Sequence, residues 1–253
     1  MPAEEINQSP LQSATNEIKY PADCSADIEC DNFREASPDE LSKQAKDLEA
    51  QVTEKRNTLG EEHPDTLTLM AKLGSTYWSQ GQWEKAEKLG VQALETQKKV
   101  LGHGHPDTLT GMGNLAITYW ARGRYKESEK LSIQVIEAKK KVLGPKHSKT
   151  LASMHNLALV YESQKRYTEA EGLIVQVIET EKIVLGPEHP NTLLSMGNLV
   201  CTYWKQGRWK EAEELGVRVI ESQKKVLGPE HPNTLHCLAN IEKIRKSTKK
   251  SRA

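Results

Sequence analysis

The nine residues Leu185-Gly-Pro-Glu-His-Pro-Asn-Thr-Leu193 decide the fold, because the chain contains this stretch five times with small variations. The copies begin at five leucines, each 42 residues after the one before: Leu59, Leu101, Leu143, Leu185 and Leu227. A fixed period of this length is typical of helical units that bury their apolar faces on their neighbours. We therefore expect one elongated domain of stacked units.

Composition and targeting signals exclude several protein classes. The chain has 253 residues, 28% of them charged, and no run of the roughly 18 apolar residues that a membrane-spanning helix needs. Its N-terminal residues MPAEEINQSP lack the basic flank and apolar core of a secretory signal. The four cysteines form no CxxC pair, which disfavours a disulfide framework. We expect a cytoplasmic protein without membrane insertion, with the nucleus as the alternative compartment.

The two ends of the chain carry opposite charge. Residues 1–38 hold eight acids and two bases, a net charge of −6, and we predict a disordered acidic tail there. Residues 243–253 hold six bases and no acid, and the last seven of these residues, 247–253, are a predicted basic tail. The body at 39–246 is the predicted repeat domain. The residues between the two charged ends, 39–242, have no net charge, which argues against nucleic acid as a main ligand.

Each full unit predicts two helices, which we name helix A and helix B. In the first unit, Asp65 or Thr66 is the expected N-cap of helix A, and Gly81 ends it. Trp83 then opens helix B, which ends near Val100. The same pattern predicts helices at 108–122 and 125–142, 150–164 and 167–184, 192–206 and 209–226, and a last helix A at about 234–246.

A half-unit precedes the first full unit. Ser37 is a suitable N-cap for a helix that runs to about Arg56. Ala45 and Leu48 match Ala86 and Leu89 by residue type, which makes this helix a helix B placed one residue short of the 42-residue period.

The residues inside each unit follow the spacing L-[GAV]-x-x-Y-x-x-x-G-x-[WY]-x-x-A, with exceptions in single units. In the first unit this spacing reads Leu73-Gly74, Tyr77, Gly81, Trp83 and Ala86. It resembles the tetratricopeptide repeat. The 42-residue variant, with QGRWKEAE before helix B and LGPEHP between units, is similar to the kinesin light chain subfamily of fungal type. The resemblance covers about residues 39–246 and implies an all-α fold, a right-handed α-solenoid of four full helix-turn-helix units plus a half-unit at each end.

Several positions of the repeat have physical reasons. Alanines such as Ala86 leave a hollow where the two helices of a unit cross. Gly90 and Gly216 each cost helix B roughly 1 kcal/mol in helix propensity, so we expect a neighbouring helix to approach closely there. Lys165 replaces the glycine that ends helix A in the other units. A left-handed lysine costs about 1–2 kcal/mol, which predicts a soft third unit.

Chemistry at the periodic histidines is disfavoured by distance. Five of them recur at the period: His63, His105, His147, His189 and His231. Equivalent residues of stacked helices lie about 8–10 Å apart, whereas zinc needs nitrogens at about 2.0–2.1 Å. We call the loop between helix B of one unit and helix A of the next the joint. We interpret these histidines as structural residues of the joint, and we predict no metal and no cofactor. A nucleotide loop, a nucleophile elbow, an HExxH helix and a catalytic Cys–His pair are missing from the sequence, which predicts that the protein is not an enzyme.

The concave groove is the predicted binding site. In tetratricopeptide stacks the A helices face inward, and their free face carries these residues here: Lys72, Ser75, Trp78, Asn114, Ile117, Trp120, Asn156, Leu159, Glu162, Asn198, Cys201, Trp204 and Asn240. Matching asparagines of kinesin light chains contact cargo peptides, so the resemblance implies that the four asparagines bind an extended peptide backbone. Tryptophans beside them would anchor its side chains. In the alternative interpretation, the indoles pack between units and the asparagines only solvate the face.

The predicted function is a protein–protein interaction scaffold or adaptor that binds extended peptide segments of partner proteins and no small-molecule substrate. Residues 1–38 contain no heptad segment of the kind that joins kinesin light chains to the motor, so one alternative is a stand-alone sensor-type repeat module without motor function. Another alternative is binding of anionic partners, nucleic acid or lipid, through the basic C-terminal tail. A further hypothesis places the acidic tail, with Phe33, in the groove of the same molecule.

Overall fold

The computed structural model of the protein describes residues 37–251, and their side chains as far as Lys246. This part of the chain contains ten α-helices and no strand: α1 Pro38–Leu59, α2 Pro64–Ser79, α3 Trp83–Val100, α4 Pro106–Ala121, α5 Tyr125–Val142, α6 Ser148–Ser163, α7 Tyr167–Val184, α8 Pro190–Lys205, α9 Trp209–Val226 and α10 Pro232–Ser251. The predicted acidic tail lies outside the described residues, apart from its last two. Helix α10 runs on to Ser251, beyond the predicted end at 246.

The helices pack strictly in chain order, each against the one before and the one after. The even-numbered helices are the A helices and the odd-numbered ones the B helices. Neighbouring A helices also contact each other directly, α2 with α4, α4 with α6 and α8 with α10. The A helices therefore line the inner side of an all-α solenoid. Four full units and a half-unit at each end are present, as the repeat predicts.

The joint between units works through its histidine. In all five joints the histidine Nδ1 accepts a hydrogen bond from the backbone N–H two residues on, as in His189 with Asn191 at 3.2 Å. A proline at the first helical position follows in four of the joints, where its missing N–H costs nothing. The predicted N-cap at Asp65 or Thr66 is therefore wrong, and helix A starts earlier. Thr66 is fully buried instead, and its hydroxyl donates to the carbonyl of Gly60 at 2.8 Å.

The turn between helix A and helix B needs a left-handed residue. Gly81, Gly123 and Gly207 occupy it with φ of 71°, 73° and 77°, and Lys165 has φ of 61° in the third unit. The prediction of a left-handed lysine is confirmed. Lys165 is the one non-glycine residue with positive φ in the part of the chain that the structure describes.

Helix α1 keeps the 42-residue register without a slip. The Gln80 side chain donates to the carbonyl of Leu41, as Gln164 does to that of Tyr125, and both residues of the second pair lie two periods after those of the first. The predicted one-residue shortfall is therefore wrong. Ala45 and Leu48 of α1 are buried in the cluster that α1 forms with α2, the helix that follows.

The crossing of the two helices in each unit matches the predicted hollow. Ala86, Ala170, Ala212 and Ser128 are all buried, and the Ser128 hydroxyl donates to the carbonyl of Ala116 at 2.7 Å. A Cβ at Gly216 would lie 2.1 Å from Ile241 Cδ1, which confirms the close approach predicted there. At Gly90 the same atom would meet only Leu115 Cδ1 at 3.7 Å, an ordinary contact, so that part of the prediction is wrong.

An arginine before helix B links each later unit to the one before. In the fourth unit Arg208 lies over the Tyr203 ring, 4.1 Å from its centroid, and its Nη1 binds Glu171 of α7 at 2.8 Å. Equivalent contacts join Arg124 and Arg166 to α3 and α5. Because this arginine occupies an unspecified position of the repeat pattern, sequence reasoning missed it.

Candidate binding groove

The structure places the predicted asparagines in one row along the A helices, at gradually increasing burial. Asn114 on α4 is exposed, Asn156 on α6 and Asn198 on α8 are half-buried, and Asn240 on α10 is buried. Lys72 holds the equivalent position on α2 and is exposed. The row thus runs from an open N-terminal end to a closed C-terminal end.

Two of these asparagines keep an unpartnered oxygen. The Asn240 Nδ2 donates to His236 Nε2 at 3.1 Å and lies 4.0 Å from Cys201 Sγ. The Oδ1 atoms of Asn156 and Asn240 are buried and have no hydrogen-bond partner among the described residues. Buried acceptors without donors cost free energy, so these two amides are held in place by packing at some cost. A ligand in the groove reaches their oxygens only if the amides rotate.

The tryptophans lie between adjacent units rather than standing free in the groove. Trp78, Trp120 and Trp204 are half-buried, and each packs against a hydrophobic cluster of the core. The Trp120 Nε1 donates across to Ser163 of α6 at 2.7 Å. A ligand in the groove can touch only the part of each indole that remains exposed.

Glu162 takes the place of a tryptophan in the third unit, and its charge is compensated. Its carboxylate accepts hydrogen bonds from the Thr202 hydroxyl at 2.5 Å and from the Lys205 ammonium at 2.9 Å, both on α8. The Glu162 side chain is only 7% exposed. This pair therefore joins α6 to α8 and leaves the middle of the groove without an uncompensated carboxylate.

The groove also contains apolar and small residues. Ile117, Leu159 and Cys201 are half-buried at equivalent positions of α4, α6 and α8, and Leu194 on α8 is exposed. Beside the asparagines, Gly113 and Gly197 have no atom within 4 Å of the place where a Cβ would stand. Sequence reasoning missed these two glycines. Their signal is a glycine directly before a groove asparagine.

Three buried polar side chains form a hydrogen-bonded network with the residue types of a catalytic triad. His155 on α6, Ser195 on α8 and Glu181 on α7 lie within hydrogen-bond distance, 2.8 Å from His155 Nε2 to Ser195 Oγ and 2.5 Å from Ser195 Oγ to Glu181. The serine hydroxyl donates to Glu181, so His155 must donate its own Nε2–H to Ser195 and cannot act as its base. All three side chains are buried. This network therefore stabilises the interface between units three and four.

Burial changes the protonation of this interface. Burial lowers the pKa of His155 to about 4. Burial also raises the pKa of Glu181, and the hydrogen bond from Ser195 offsets part of that increase. One unit earlier, Lys139 occupies the position of Glu181 and donates to Ser153 Oγ at 2.8 Å. Burial, and then the charge of Lys149, lower the pKa of Lys139 to about 8. Each interface thus has its own buried polar residue.

The five periodic histidines point into their own joints, where each caps a helix. Within residues 37–246 no three histidine, cysteine or acidic side chains lie close enough together to hold a metal ion. No helix in the same part of the chain combines the length and the apolar character needed to cross a bilayer.

Comparison with known proteins agrees with the repeat. A family model described as a tetratricopeptide repeat matches residues 48–99, 73–141 and 107–180, and a second one of the same description matches residues 192–233. A search of curated proteins gave no match.

Solved structures with this arrangement include a kinesin light chain-like protein of Podospora anserina with nearly identical repeats. It is 33% identical, with 74% of this chain and 89% of that chain covered and a TM-score of 0.66. A variant of that protein gives the same identity over 75% and 89%, with a TM-score of 0.69. BtubC (BKLC) from P. vanneervenii has a TM-score of 0.69 over 83% and 84% of the two chains, and at 18% identity it shows the fold alone.

Proposed function

Because this chain belongs to the kinesin light chain-like tetratricopeptide repeat proteins, we propose that it is a scaffold that binds an extended peptide segment of a partner protein along its A helices. Repeats of this family support protein–protein interaction in general. The peptide and its place in the groove are our proposal.

The row of groove asparagines is the observation that supports it. A side-chain amide both donates and accepts, so it can bind any peptide backbone regardless of sequence. The row recurs once per unit at Asn114, Asn156, Asn198 and Asn240, and the first three of these side chains are exposed or half-buried. The space above Gly113 and Gly197 lets a backbone approach these amides.

The charge of the groove indicates the kind of peptide. Its lysines are the exposed Lys72, Lys205, which pairs with Glu162, and the half-buried Lys243. Leu159, Ile117 and Leu194 supply apolar contact area beside the asparagines. A segment with few charges and several apolar side chains fits this surface better than a strongly acidic one.

A capture experiment with a matched control tests the proposal. The double variant Asn156→Ala/Asn198→Ala removes the two central amides, and Gln92→Ala/Gln134→Ala removes two exposed amides from the outer face of the B helices. We expect the wild type and the outer-face variant to retain the same partner and the groove variant to lose it, with equal melting temperatures throughout. A partner retained by the groove variant would place the binding site elsewhere.

A further inference from the structure

All joints lie on one edge of the solenoid, because every helix B ends there and every following helix A begins there. We call residues 57–63, 98–105, 140–147, 182–189 and 224–231 the joint edge. Seven of the eleven exposed large apolar side chains in the described part of the chain lie on it: Leu59, Val100, Val142, Ile183, Val184, Leu185 and Val226. The opposite edge, at the A–B turns, exposes only Trp83 among them.

Ion pairs between successive joints are present at the two ends of the joint edge, and among the described residues the middle of the edge has no equivalent pair. In the first unit Lys99 pairs with Glu62, and in the fourth unit Lys225 pairs with Glu188 at 2.9 Å, 37 residues apart in both cases. The equivalent positions, also 37 residues apart, are held by Lys141 and Gly104 in the second unit and by Ile183 and Lys146 in the third. In the second unit a glycine stands in place of the acid. In the third unit a lysine stands in place of the acid and an isoleucine in place of the base.

The middle of the edge therefore concentrates positive charge. Lys140, Lys141, Lys146 and Lys149 lie within ten residues that contain no acid, and none of these lysines forms an ion pair with any residue that the structure describes. The nearest exposed acids on α5 and α7 are Glu137 and Glu179, about one turn earlier. Glu181 of α7 is nearer in sequence, but its carboxylate is buried and accepts a hydrogen bond from Ser195. Beneath the lysines, the amine of Lys139 is buried and bonded to Ser153.

An apolar side chain protrudes among these lysines. Ile183 is 74% exposed, more than any other large apolar residue described, and it occupies the position of Lys99, Lys141 and Lys225 in the other units. Val142 and Val184 lie beside it at the ends of α5 and α7 and are also exposed. We call the four lysines with Val142, Ile183 and Val184 the central patch.

We propose that the central patch docks the protein on an anionic lipid surface. The patch consists of helix ends and loops at the rim of the solenoid, so it projects outward, whereas an extended peptide needs a groove. Lysine ammonium groups attract anionic headgroups, and branched apolar side chains enter the boundary between headgroups and acyl chains. A nucleic acid would neutralise the lysines but would offer no partner for Ile183. The lipid surface is therefore the occupant that uses both parts of the patch.

Vesicle binding by the full chain tests this proposal. The probes are phosphatidylcholine vesicles with and without about one third phosphatidylserine, and bound protein is measured by co-sedimentation. Each lysine at such a surface contributes about five-fold to partitioning. We expect Lys140→Glu/Lys141→Glu to lower binding to the anionic vesicles at least about 30-fold. The matched control Lys224→Glu/Lys225→Glu changes the net charge equally and should retain most of the binding.

A second pair of variants tests the apolar part. Ile183→Ser should lower binding several-fold at constant charge, whereas Val226→Ser at the end of the fourth unit should not. Circular dichroism checks that all variants are folded. The groove variant Asn156→Ala/Asn198→Ala should bind vesicles as the wild type does, which separates this proposal from the peptide site.

Several results would overturn the proposal. Equal binding to neutral and anionic vesicles, or equal losses in the two charge-reversal variants, would exclude a specific patch. Loss of binding on deletion of residues 247–253 with the central patch intact would assign the effect to the basic tail. Binding of an RNA or of an acidic peptide that requires Lys140 and Lys141, without vesicle binding, would assign the patch to that partner instead.

Discussion

Lys165 is the residue at which the chain departs furthest from its own repeat. Its φ of 61° lies in the left-handed region that Gly81, Gly123 and Gly207 occupy in the other units. Relief of this strain is worth about 1–2 kcal/mol, and the greater freedom of glycine in the unfolded chain takes back part of it. We expect Lys165→Gly to raise the free energy of unfolding in urea by about 0.5–1 kcal/mol, and Gly207→Lys to lower it. Equal stability of Lys165→Gly and wild type would show that the turn carries no strain.

His155 makes the stability of the interface between units three and four sensitive to acid. Its pKa is about 4 in the folded protein against about 6.5 in an unfolded chain, so between these values only the unfolded state binds the proton. The contribution of His155 to stability is therefore complete above about pH 6.5 and falls by about 2–3 kcal/mol as the pH drops towards 4. The raised pKa of Glu181 acts in the opposite direction and offsets part of this loss. We expect His155→Gln, which keeps a donor near Ser195, to flatten this slope in denaturant titrations at pH 4–7. Glu181 titrates in both proteins, so a slope that does not change would contradict the assignment to His155.

Helix α9 differs from helix α3 in how closely the next helix A approaches. A Cβ at Gly216 would overlap Ile241, whereas one at Gly90 would meet Leu115 at an ordinary distance. We expect Gly90→Ala to stabilise the protein by up to about 1 kcal/mol through helix propensity. Gly216→Ala should destabilise it by about 1–3 kcal/mol through overpacking, less what Ile241 recovers by changing rotamer. Thermal unfolding of the two variants should shift in opposite directions. A shared direction would show that the helices move apart freely.

Helix A, helix B and their order could be predicted from the sequence, because the period and the apolar spacing repeat in every unit. The N-caps of the A helices could not, since histidine is a weak signal beside the aspartate and threonine that follow it. The N-cap of α1 could: Ser37 accepts a hydrogen bond from the Glu40 N–H, as predicted. The register of α1 could not be predicted either, because the residue types at Ala45 and Leu48 match those of Ala86 and Leu89 one residue out of the 42-residue period. For the groove, the spacing assigned the asparagines to one row, but the position of Trp120 between units depends on a contact 43 residues away with Ser163.

At the scale of the whole molecule, α10 is the last helix of the described stack, and it shows by comparison what helix B covers in the other units. Leu193 on α8 is 1% exposed, whereas its equivalent Leu235 on α10 is 45% exposed. We expect Leu193→Ala to lower the free energy of unfolding by about 2–5 kcal/mol and Leu235→Ala by less than about 1 kcal/mol. Chemical denaturation of both variants measures the difference. Comparable losses would indicate that another surface covers α10 in solution, and sedimentation would then identify a second copy.

The order in which helices contact one another also has a consequence for synthesis on the ribosome. Side-chain bonds between units, such as Trp120 with Ser163 and Lys205 with Glu162, join residues at most 43 positions apart. A unit can thus complete its packing once the next helix A has emerged, while the rest of the chain is still being translated. No contact in the described stack waits for the C-terminus to find the N-terminus. A chain of this kind can gain or lose a unit of 42 residues in evolution and still fold from its first helix onward.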